Sequence, residues 1–137
     1  MPVKDYLSQA YRIDQRINSK LEQVQSLREL ATKATATLSD TPASGSRNVH
    51  SMSDIIDKMI DLEAEINDDI DRLVDLKREI VMVIKWVENP EYQTLLELRH
   101  LCFKSWEEIA VTMHYDIRTI YRIHDRALAA VTLPVVT

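Results

Sequence analysis

The chain has 137 residues, 45% of them hydrophobic and 28% charged, the balance of a folded soluble protein rather than a disordered one. Its formal net charge of -5 argues against a nonspecific nucleic-acid coat, its single cysteine excludes an internal disulfide framework, and no apolar run approaches the roughly 18 residues of a membrane span. One glycine and four prolines leave long tracts of helix formers where a sheet protein needs many turn residues, so the fold class is all-α.

The first 15 residues, MPVKDYLSQAYRIDQ, become charged too soon for a signal peptide, and with Cys102 alone the expected location is the cytoplasm. Ala10, Ile13, Ile17, Leu21, Val24, Leu27, Ala31, Ala34 and Leu38 recur at steps of three and four, which predicts a helix from about Lys4 to Leu38. Ser39 to Ser51, with Pro42, Gly45 and four serines, reads as a flexible connector. A second stripe follows from Met52 to Val87: Met52, Ile55, Met59, Leu62, Ile66, Leu73, Leu76, Ile80, Val83 and Val87. Asp69 fills the one expected apolar slot and is read as a polar residue that sets register, or as one displaced toward solvent beside Ile70. Two helices of matched length predict a long antiparallel hairpin, a coiled coil, over residues 1–88. Its thin core leads to an expectation that the hairpin packs on the C-terminal domain or self-associates, and the few arginines of the last helix to one of homodimerisation through the hairpin.

Asn89-Pro90 stops the second helix, because proline removes an amide donor and restricts the residue before it. A second domain, 89–137, is expected to begin there. Glu91 to Phe103 reads as a helix with Tyr92, Leu95, Leu96, Leu98 and Leu101 on its apolar face. Ser105 and Glu108 form the sequence pattern of a capping box for a helix over Trp106–Met113, and Asp116 is the N-cap candidate for another beginning at Ile117. Ile120, Ile123, Ala127 and Leu128 are its buried stripe. Two short helices across a tight turn fit a DNA-reading helix-turn-helix, with Ile109, Ala110, Met113, Ile120 and Ile123 as its core and Tyr115 helping to set the angle. Ile117, Arg118, Tyr121, Arg122 and Asp125 then face outward. The arginines suit guanine, while Thr119 and Arg126 suit phosphate. His114 stands where a left-handed turn residue, commonly glycine, is needed.

Charge is unevenly distributed. Met52 to Val87 holds 5 basic and 10 acidic residues, net -5, whereas from Ile117 onward Arg118, Arg122 and Arg126 face only Asp125, net +2. The acidic run Glu63 to Asp71 is a solvated face, or a docking surface for a basic partner or a mimic of nucleic acid. Glu97 and His100 have the Glu-x-x-His spacing of di-iron bundles, but the required second copy is missing. No metal, cofactor, catalytic residue or enzymatic activity is expected.

Glu107-Glu108-Ile109-Ala110, the turn, Ile120, Ile123 and Ala127-Leu128 resemble region 4 of bacterial sigma factors. The longer stretch LELRHLCFKSWEEIAVTMHYDIRTIYRIHDRAL is similar to the DUF1492 and ArpU-like group of small helical phage and prophage proteins, as is LRELA at Leu27 to Ala31. The resemblance implies a sequence-specific DNA-binding regulator of phage late genes, an activator in a bacterial host cell, with Arg118, Thr119, Tyr121 and Arg122 on the DNA. It departs from the sigma pattern at His114 and at Ile117, where sigma factors often carry arginine. The competing expectation is a sigma-like adaptor or inhibitor that binds host RNA polymerase or another host protein without reading DNA.

Overall fold

The computed structural model describes residues 1–40 and 45–134, with residues 37–40 and 45–51 described by their backbone alone. Among them are five α-helices and no strand: α1 (Val3–Asp40), α2 (Gly45–Lys85), α3 (Pro90–His100), α4 (Trp106–Met113) and α5 (Ile117–Ala130). None of these helices is long and apolar enough to cross a membrane. Most of the expected connector is helical: Ser39 and Asp40 belong to α1 and residues 45–51 to α2, while residues 41–44 lie outside the described residues. Serine, asparagine and arginine each cost a helix at most about 0.7 kcal/mol relative to alanine, too little to stop one alone. α3 is shorter than expected, ending at His100, because Phe103 takes a left-handed φ of 57° that no helix contains.

The chain divides into two compact units, Met1–Asp14 with Arg72–Thr137, and Gln15–Asp71, rather than at residue 88. Pro90 does mark a boundary between helices, as the first residue of α3. The two ends of the long helices nevertheless belong with the C-terminal helices, since Leu7, Ala10, Ile80, Val83, Ile84 and Val87 are all buried. Polar contacts secure these ends. The Tyr6 hydroxyl donates to Glu79 Oε1 at 3.0 Å, and burial together with that carboxylate raises the phenol to about 12. Gln93 Nε2 donates to the Val87 carbonyl at 2.6 Å, where the chain leaves α2. The Phe103 ring meets Tyr11 edge-on at 5.7 Å and lies under the Lys77 ammonium at 4.7 Å. These contacts hold Phe103 against the backbone preference that opposes its φ.

In the Gln15–Asp71 unit the apolar stripes are buried at Ile17, Val24, Leu62 and Ile66, but Leu21 is 49% exposed. Lys20 occupies the inner position instead, and its Nζ donates to Asp69 Oδ2 at 2.7 Å, with Glu65 at 3.6 Å. Lysine can do this because its four-carbon stem packs like an aliphatic chain while its ammonium meets a charge. Asp69 is 5% exposed and Ile70 41% exposed, so the displacement of Asp69 toward solvent does not occur. Arg28 meets Glu63 at 3.8 Å, eight residues further along α1 and six earlier along α2, so these stretches run in opposite directions.

A buried charge without its partner is costly, whereas an apolar pair of similar volume is tolerated. Asp69→Leu therefore destabilises the protein by about 3 kcal/mol in urea unfolding, and adding Lys20→Met recovers most of that loss.

Candidate nucleic-acid interface

α3, α4 and α5 pack pairwise on one another. Leu95, Ile109, Ala110, Ile120 and Ile123 form a buried cluster, flanked by the partly buried Tyr92, Leu98, Trp106 and Met113. Four of the five expected core residues are thus fully inside, and Met113 lies at the edge. Ala110 has the smallest side chain of the cluster, so it limits the separation of α4 and α5 least.

Each helix end has a chemical cause. Asn89 Oδ1 accepts the Glu91 and Tyr92 N–H groups and Pro90 follows with φ preset, which starts α3. At α4, the Glu108 N–H donates to Ser105 Oγ at 3.2 Å and the Ser105 N–H donates to Glu108 Oε1 at 3.4 Å. These bonds hold the Glu108 carboxyl below its usual range. α4 ends at His114, whose φ of 61° and ψ of 42° are left-handed, and the Tyr115 N–H crosses back to the Ala110 carbonyl at 3.1 Å. Histidine thus adopts the conformation that glycine commonly takes in such turns. Asp116 Oδ1 accepts the Thr119 N–H at 2.7 Å and opens α5, a contact that keeps its carboxyl below the usual range. Tyr115 differs from expectation: it is 38% exposed, and its hydroxyl donates to Glu91 Oε2 at 2.7 Å, tying the turn to the start of α3.

The inner side of α5 buries Ile120, Ile123, His124 and Ala127, with Leu128 half-buried. Its outer side exposes Arg118, Tyr121, Arg122, Asp125 and Arg126. Among the described residues these three arginines make no ion pair with the protein. Ile117 and Thr119 are half-buried at the start of the helix, so the open face is narrower than the sequence alone implies.

A cluster missed by the sequence reading lies behind this face. His100 of α3 and His124 of α5 are 6% and 5% exposed and stack with their Nε2 atoms 3.0 Å apart, so one ring donates the proton that the other accepts. Trp106 meets His124 edge-on at 4.7 Å and Tyr121 at 5.2 Å, and the Arg99 guanidinium lies 4.2 Å over its ring. Tyr121 therefore stands on a stack anchored in α3. Burial, then the neighbouring His124, Arg99 and Lys4 charges, depress His100 to about 3. His124 is depressed to about 4, again chiefly by burial, with Asp125 opposing. His124 had a sequence signal, lying four residues after Ile120 and three before Ala127. His100 had one too, lying four residues after Leu96, but nothing in the sequence paired it with a ring 24 residues away.

The Glu97 and His100 side chains do not share a site, because Glu97 is exposed and His100 faces His124. No group of three or more potential metal ligands occurs among the described residues. Comparison with known protein families, curated proteins and solved structures finds no match to the chain.

Two outcomes follow from the turn and the histidine pair. His114→Gly relieves a left-handed side-chain penalty and raises stability by about 1 kcal/mol in urea unfolding. The histidines' folded values lie below the unfolded value of 6.5, so on acidification the unfolded chain binds protons first. Stability is then complete above pH 6.5 and falls as the pH drops toward about 3, by at least about 2 kcal/mol at about pH 5. Urea unfolding across that range checks it, and the acid-side slope flattens in a His100→Gln/His124→Gln protein.

Proposed function

We propose that α4, the turn at 114–116 and α5 form a DNA-reading helix-turn-helix of the sigma region 4 kind. The protein then acts as a sequence-specific transcription regulator of phage or prophage genes, an activator of late genes. The observation that carries this reading is the division of α5 into two sides, one buried against α3 and α4 and one exposing Arg118, Tyr121, Arg122 and Arg126. An α-helix fits the major groove of B-DNA, and arginines one turn apart reach base edges on neighbouring pairs.

In this reading Arg118 and Arg122 hydrogen-bond guanine and Tyr121 packs against a base or sugar, held upright by Trp106. Arg126 and the Thr119 hydroxyl meet phosphates, while Ile117 touches the groove wall from its half-buried position. The start of α5 is not itself a phosphate seat, because the Asp116 carboxylate already occupies the Thr119 amide. Phosphate attraction therefore comes from the arginines. One copy brings few of them, so binding by a single chain is weak and steeply dependent on salt.

A second reading rests on the other pole of charge. Asp54, Asp57, Asp61, Glu63, Glu65, Asp68 and Asp71 are all exposed on α2, which suits an adaptor that engages a basic surface of host RNA polymerase or another host protein. The two readings differ at the arginines. A duplex pool of random sequence, selected on the purified protein, is enriched for a common site if α5 reads bases. On that site Arg118→Ala and Arg122→Ala each weaken binding by roughly 10-fold or more in a gel shift, and a promoter reporter loses its response in parallel. No enrichment, or full binding and reporter activity in the double variant, removes DNA reading and leaves the adaptor.

A further inference from the structure

Within the unit formed by Met1–Asp14 and Arg72–Thr137, the last turns of α2 carry an exposed apolar surface that the DNA reading does not use. Trp86 is 77% exposed and Met82, one turn before it, 55%. Both line a groove of about 620 Å³ completed by Leu133 and Pro134 from the segment after α5, with Asp75, Arg78 and Glu79 at its rim. A protruding indole beside a groove large enough to receive one is an unusual thing to leave in water, since a tryptophan side chain is worth several kcal/mol when covered.

The charges at this surface indicate what covers it. Asp75 and Arg78 are one turn apart, bear opposite charges, and make no ion pair among the described residues. A surface with both signs one turn apart complements its own copy: across a two-fold axis each Arg78 meets the other chain's Asp75. The stretch from Asp54 to Asp71 is the opposite case: with Asp69 buried against Lys20, seven exposed acidic residues outnumber Lys58 and the neighbouring Lys20 and Arg28, so two copies brought together along it repel. We infer that the protein dimerises through the Met82–Trp86 surface and its groove, each copy's Trp86 packing against the other, rather than through the Gln15–Asp71 unit. This places the contact in the same compact unit as α5, so dimerisation carries two arginine faces together. The inference is independent of whether α5 reads DNA.

The surface is small by the standards of permanent dimers, which sets the expected Kd at ~10–100 µM. Sedimentation equilibrium of the full chain tests it. The protein shows a monomer–dimer equilibrium in that range, and Trp86→Glu is monomeric throughout with an unchanged thermal melt, as expected for so exposed a residue. Arg78→Asp is monomeric alone, because with Asp75 and Glu79 it leaves a rim of one sign, whereas Asp75→Arg reverses the balance of the rim and weakens self-association; the two variants associate when mixed in equal amounts. A wild-type protein that stays monomeric, a Trp86→Glu variant that dimerises as well as wild type, or two charge variants that fail to associate on mixing would each overturn the inference. Loss of DNA binding in Arg118→Ala/Arg122→Ala with dimerisation intact keeps the two proposals separable.

Discussion

Burial of one side of α5 governs where everything else on that helix points. Ile120, Ile123, His124 and Ala127 are committed to α3 and α4, and a helix with one side fixed has no freedom in the other. Arg118, Tyr121, Arg122 and Arg126 are outward-facing as a consequence. Burying the two isoleucines alone supplies about 3–6 kcal/mol, more than the exposed ion pairs nearby contribute. The caps do something different: Ser105, Asp116 and the left-handed His114 fix where each short helix begins and ends, which an eight-residue helix such as α4 cannot settle by propensity.

Polar groups inside both units act as address marks rather than as sources of net stability. The Lys20–Asp69 pair in the Gln15–Asp71 unit costs desolvation that its attraction roughly offsets, yet it is satisfied in only one register of α1 against α2. The His100–His124 pair serves α3 and α5 in the same way, since a single shared proton requires the two rings to meet. Trp106 extends that pair to the surface, so the orientation of Tyr121 depends on a contact two layers below it.

Much of this was legible in the residues because it is local. The Ser105–Glu108 box, the Asp116 cap and the stripe of α5 follow from spacings of three or four, the left-handed His114 from its place in the turn between two short helices, and the structure has each of them. What failed was tertiary. Lys20 and Leu21 are adjacent, and periodicity favoured the leucine, although the buried charge of Asp69 selects the lysine. Packing of the hairpin on the C-terminal domain was one of two open alternatives, but which residues take part, Leu7 and Ile80 among them, was hidden because a continuous stripe does not reveal which neighbour it meets along its length. Tyr115 was read as one of the residues that set the helix angle, but it stands 38% exposed, with its hydroxyl donating to Glu91 at the rim.

The most direct measurement is a backbone amide NMR titration of the protein with the duplex selected from a random pool. Shift changes concentrated at residues 117–126, with smaller ones relayed through Trp106 and His100, are the expected result. Changes confined to residues 54–71, or none at any duplex concentration, would contradict the assignment of α5 as the surface that meets DNA.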